Sequence, residues 1–135
     1  MSDVAAMLDT LYEYASAVDD SDIEALGACF TEDAVIETRV ADGTEVPSLV
    51  GRAGIVEFIR AGRERQGDLR RHLVTNPRVL EEADGRAVVF SYVLVTATIA
   101  GELKVCCTGT YRDEFVLDDG KWRIRAKRID LDSIY

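Results

Sequence analysis

The stretch from Gly109 to Asp132, GTYRDEFVLDDGKWRIRAKRIDLD, reads as two long strands joined by the tight turn Asp118-Asp119-Gly120. Runs rich in β-branched and aromatic residues, bounded by Asp and Gly, favour hairpins. Working back from it, the same grammar repeats. Strands are expected over Arg70 to Leu80, Ala87 to Ile99, Glu102 to Leu117 and Lys121 to Leu131, with Asp84-Gly85 and Ala100-Gly101 as the other turns. Successive long strands joined this way form an antiparallel meander. Strands of ten or more residues must coil, so one face of the sheet becomes concave.

The residues before this meander read differently. Val4, Met7, Leu8, Leu11, Tyr12, Ala15 and Val18 recur at the three- and four-residue spacing of an amphipathic helix. It runs into Asp19, Asp20, Ser21 and Asp22, where Ser21 or Asp22 is placed to cap a second helix through Ile23, Leu26, Cys29 and Phe30. Ala34 to Val40 suggests a short strand, turned at Asp42-Gly43 and returned antiparallel over Glu45 to Val50 as a small flap. A third helix follows over Arg52 to Arg63, ending near Gly67, with Ile55, Val56, Phe58 and Ile59 on one side. Helices grouped ahead of a meander give an α+β layering in which the helices cover one sheet face. The fold expected is a cone-shaped α+β barrel, three N-terminal helices packed in the concave face of a strongly curved mixed or antiparallel sheet.

Bulk properties narrow the function classes. A chain of 135 residues is long enough to take about two-thirds of its unfolded surface out of water, and residues 1–135 are expected to form one domain. No apolar run approaches the roughly 20 residues of a membrane span, and MSDVAAMLDT lacks the basic start and apolar stretch of a secretory signal. A soluble, cytoplasmic protein with no membrane partner is the expectation. The formal charge of −9 repels phosphate backbones, which argues against nucleic acid. Cys29, Cys106 and Cys107 lack metal-type spacing, and His72 is the one histidine; free thiols and no structural zinc follow. No Gly-rich phosphate loop is present, so neither metal nor nucleotide cofactor is expected.

Three segments carry a resemblance: YEYASAVDDSDIEALGACFTEDAVIE (Tyr12 to Glu37), RRHLVTN (Arg70 to Asn76) and the closing hairpin. With helix, acidic turn, second helix, the F-x-x-D-A motif and a final G-x-W hairpin in that order, the chain resembles the SnoaL-like and scytalone dehydratase-like branch of the nuclear transport factor 2 superfamily. The resemblance implies the cone fold. It also implies a catalytic pair in which an aspartate at the end of the first helix orients a histidine on the first long strand, at positions here held by Asp19 and His72. Elimination or isomerisation beside a carbonyl needs a base that is neutral near pH 7 and an acid once protonated, which imidazole provides. Taken by themselves, a lone strand histidine is more often structural and one acid in a cluster is often a helix cap.

Other residues are candidates for substrate binding. Tyr12 shares a helical stripe with Leu8, Ala15 and Asp19, Tyr92 offers a phenol on the second long strand, and Asn76 is placed by alternation on the face of His72. A break of alternation near Arg128 would turn that residue inward, where the resemblance implies a pocket arginine; otherwise it belongs to a solvated basic edge. The phenols, second imidazole and asparagine of scytalone dehydratase correspond to Val18, Thr38, Thr98 and Thr110 here, which makes scytalone itself an improbable substrate. Trp122 is expected to pack the final hairpin.

The reading is a cofactor-independent lyase or isomerase, dehydratase-like, acting on a medium-sized, apolar, oxygenated small molecule. The alternatives are a non-catalytic small-molecule carrier or interaction module, and the small subunit of a ring-hydroxylating dioxygenase. Apolar residues on both faces of the strand holding Val89, Phe90, Val93, Leu94 and Val95 suggest a homodimer or homotrimer.

Overall fold

Helix α1, Asp3–Asp20, starts where the Ser2 side chain accepts from the Ala5 amide and stops where Ser21 takes a left-handed conformation, φ 54°. Asp22 then accepts from the Ala25 amide at 3.1 Å and opens α2, Ile23–Ala28. The computed structural model describes residues 2–134. The strand after α2, β1, runs from Phe30 to Val40, earlier than the sequence suggested. Phe30 is paired with Ile124 rather than closing a helix, and its carbonyl accepts the Arg52 guanidinium at 2.7 and 3.1 Å. The expected flap reduces to β2, Leu49–Val50, paired with Val35 and Ile36. Helix α3 covers Arg52–Glu64.

The meander forms as its turns dictate: β3 Leu69–Ala83, β4 Arg86–Ile99, β5 Glu102–Asp118 and β6 Lys121–Leu131. The six strands order as β2-β1-β6-β5-β4-β3. All neighbours are antiparallel except β1 and β6, which run parallel with Val35 opposite Ala126 and Val40 opposite Leu131. The mixed α+β class and curved, cone-type sheet are as expected. Register breaks sit in four strand pairs, including Thr75/Arg78, Val95/Thr96 and Glu114/Phe115; such bulges bend strands and raise their twist.

The core lies between the concave face and the helices. Met7, Leu11, Leu26, Phe30, Ile55, Val89, Phe115 and Ile124 are fully buried there. Trp122 is buried, with its indole N–H on Asp3 Oδ1 at 3.3 Å, and its carbonyl accepts from Thr10 Oγ1 at 2.7 Å, tying α1 to the final hairpin. The three cysteines are free thiols. Among the described residues no helix is long and apolar enough to cross a membrane.

Candidate active site

Asp19 sits in the last turn of α1 and His72 on the inward side of β3, two elements packed against each other. The contact is two-point: Asp19 Oδ1 lies 2.6 Å from His72 Nδ1, and Asp19 Oδ2 accepts the His72 backbone N–H at 2.9 Å. Both side chains are less than one-tenth exposed. A carboxylate only accepts, so the facing nitrogen, Nδ1, carries the ring proton and Nε2 is left basic. The Asp19 carbonyl is itself held by Arg63 Nε at 3.1 Å, so the turn that presents the carboxylate is anchored from α3.

His72 borders a cavity of about 320 Å³, near the lower end of the roughly 300–1,000 Å³ typical of ligand sites. Its walls are mostly apolar, with Val18 from α1, Ile36 from β1, Phe58 and Ile59 from α3, and Val93 and Val95 from β4. Polar groups are few: Tyr14, Thr38, Arg63, Gln66, Tyr111 and His72. A second cleft of about 250 Å³ shares His72 and is lined also by Tyr12, Ser16, Asp19 and Arg71.

Beneath the cavity lies a buried ion pair. Lys127 Nζ is 3.0 Å from Asp113 Oδ1, with both side chains fully enclosed, and it stands 3.6 Å from the Tyr111 ring centroid and 4.3 Å from that of Tyr14. Burial pushes the Asp113 carboxyl up and the Lys127 ammonium down, and each partner's charge opposes the other's shift. The ammonium braces both aromatic rings through cation–π attraction. Asp113 Oδ2 and Ser91 Oγ are buried with no hydrogen-bond partner among the described residues.

Asp19 and His72 are thus brought together; Tyr12 joins them in the second cleft but not in the cavity, and the other candidates stand elsewhere. Tyr12 is 42% exposed and lies in the second cleft. Tyr14, two residues on, lies on the Met7-Leu11-Tyr14-Val18 stripe that is buried, and it reaches the cavity. Tyr92 is 50% exposed on the outer sheet face, edge-on to Phe90, since Ser91 and Val93 are the buried residues beside it. Asn76 is exposed and left-handed, φ 55°, and the register break between Thr75 and Arg78 ends the alternation that linked it to His72. Arg128 is 43% exposed in its side chain and paired with Asp130 at 3.0 Å, outside the cavity lining. The alternation does break in β6, but at Arg125: Ile124 pairs with Phe115 and Ala126 with Glu114, so Lys127 turns inward and Arg128 outward. Tyr14 and Arg63 carried a readable signal, since each shares a helical stripe with core residues, Arg63 with Ile55 and Ile59. Lys127 was hidden by the bulge at Arg125, whereas Tyr111 alternates regularly with the buried Asp113 and Phe115 on β5.

Among the described residues, no three His, Cys, Asp or Glu side chains converge as a metal site. The class defined by this frame is a helix-lined cone enclosing one apolar cavity with a carboxylate-held imidazole in its wall. More particularly, the chain belongs to the SnoaL-like domain family, whose pattern it matches over residues 1–128. Among solved structures, it is similar to a protein of unknown function from Mycobacterium tuberculosis at 26% identity, TM-score 0.83, covering 96% of this chain and 71% of that one. It is likewise similar to Aln2 from a Streptomyces species, at 27% identity, TM-score 0.82 and 95% and 89% coverage. A candidate aromatic ring hydroxylase from Novosphingobium aromaticivorans matches at 28% identity, TM-score 0.77 and 97% and 92% coverage. Among curated proteins, none matches the sequence.

Proposed function

We propose that this protein is a cofactor-independent lyase or isomerase that removes a proton beside a carbonyl of a medium-sized, largely apolar, oxygenated molecule. The observation that carries the reading is the two-point Asp19–His72 contact at 2.6 and 2.9 Å, which holds an imidazole that lines an apolar cavity. His72 Nε2 accepts the substrate proton; Asp19 fixes the tautomer and stabilises the imidazolium that forms. Tyr14 and Tyr111 supply phenols to the developing oxyanion, whereas the sequence offered Tyr12, Tyr92, Asn76 and Arg128 for substrate binding. Apolar walls exclude water and strengthen each of these interactions. In an elimination, the imidazolium then returns its proton to the leaving group.

The test needs no knowledge of the natural substrate. Deuterium from solvent should enter the carbon beside the carbonyl of a bicyclic ketone such as 1-tetralone faster with the protein than without it, read by proton NMR. His72→Gln should remove the acceleration, and Asp19→Asn should reduce it by about 10²-fold or more through loss of the correct tautomer. Exchange that survives His72→Gln undiminished would refute the assignment. The second reading, a supporting subunit of a ring-hydroxylating oxygenase, is favoured by the 28% identity to the candidate hydroxylase; it requires stable copurification with a larger catalytic chain.

A further inference from the structure

We infer that the ligand of this cavity is a carboxylate on an apolar body, and that Arg63 is the residue that selects it; the inference rests on the cavity being a small-molecule site. The chain carries 25 Asp and Glu against 16 Lys and Arg, a balance that repels anions from its surface. The described lining of the cavity reverses it, with no Asp or Glu and one cation, Arg63. The nearby acids are already engaged. Asp19 has both oxygens on His72. Asp68 is held by Arg70 at 3.1 and 2.8 Å through both oxygens and stands 3.6 Å from Arg63 Nη1.

The guanidinium has donors to spare. Nε donates to the Asp19 carbonyl at 3.1 Å, Nη2 to the Asp68 carbonyl at 2.9 Å and Nη1 to Gln66 Oε1 at 3.1 Å. Of its five N–H groups, that leaves one on each terminal nitrogen. The side chain is 13% exposed, and these bonds hold it before any ligand arrives, so little ordering is required on binding. A fixed guanidinium in a mostly apolar cavity favours a carboxylate over an amide of the same shape. A carboxylate held at Arg63 also orients the rest of the ligand along the wall that contains His72.

Titration calorimetry of the full chain should use 2-naphthoate and its neutral isostere 2-naphthamide. The expected result is that naphthoate binds at least about tenfold more tightly, the scale of one hydrogen bond to a charged group. Arg63→Gln, which keeps a donor for the neighbouring carbonyls, should bring the ratio close to one, and Arg63→Lys should keep part of it; thermal melts verify that both variants fold. If Arg63→Gln does not fold, the wild-type ratio and that of Arg63→Lys decide. Equal affinities in the wild type, or a preference unchanged by Arg63→Gln, overturn the role of Arg63 and leave the cavity reading intact. If neither compound binds, both fall.

Discussion

Lys127 and Asp113 show how a residue that looks like surface charge becomes structural. Each is fully enclosed, and withdrawing such ions from water costs nearly as much as their attraction returns. Removing one partner should therefore do more harm than removing both. Lys127→Met is expected to lower stability by about 3–5 kcal/mol, while Lys127→Met combined with Asp113→Leu should recover most of the loss, as measured by urea denaturation. Cys29 gives a pH test at the same scale. Burial, and then the charge of Glu13, push its thiol up to about 12. The folded state thus keeps a proton that the unfolded chain releases from about pH 9 upward, so the stabilisation is complete below pH 9 and lost as pH rises toward 12. Its loss should follow a slope of at most about 1.4 kcal/mol per pH unit. Thermal melts at pH 8 and about pH 10.5 should show a smaller alkaline loss for Cys29→Ala than for the wild type.

At the scale of elements, the site depends on where strands deviate from regularity. The bulge at Arg125 is what exchanges the inward and outward residues of β6. Gly109 marks another tight place: in β5, opposite Leu131, a Cβ at this position would run into the Asp130 carbonyl and lie 3.2 Å from Leu131 Cα. Two backbones approach there as closely as glycine permits. Gly109→Ala is accordingly expected to destabilise by about 1–3 kcal/mol, visible as a lower urea midpoint at unchanged slope. The Asp19–His72 contact belongs to this scale as well, because α1 ends at Ser21 and α3 holds that end through Arg63.

For the whole molecule, the outer face of the sheet carries an exposed apolar patch. Leu69, Leu73, Tyr92, Leu103 and Val105 are each 42–70% exposed, on strands that pair side by side as β3, β4 and β5. Exposed apolar patches favour association, and we propose a second copy of the chain as the occupant of this one. Light scattering should find a homo-oligomer in the wild type and a folded monomer in the Leu103→Glu, Val105→Lys double variant.

The three helices and the four-strand meander were legible in the sequence, because periodicity, turn residues and helix-end chemistry are local; the Asp19–His72 pair came only from the family resemblance, since by themselves a lone strand histidine and one acid of a cluster read as structural. The free thiols were legible from spacing alone. Which tyrosines and which cations face the cavity was legible only in part, through the helical stripes that hold Tyr14 and Arg63. Tyr14 rather than Tyr12 is set by how α1 rolls against β3 and β6, and Arg128 is turned outward by a bulge that shifts strand parity by one residue. A one-residue shift sends every later side chain to the opposite face, and its position is set by pairing between strands distant in sequence. The parallel β1–β6 contact is decided in the same way, since nothing near Phe30 encodes its partner Ile124. Local chemistry thus determined the elements, while long-range packing and strand register determined that Asp19 meets His72 and what surrounds the pair.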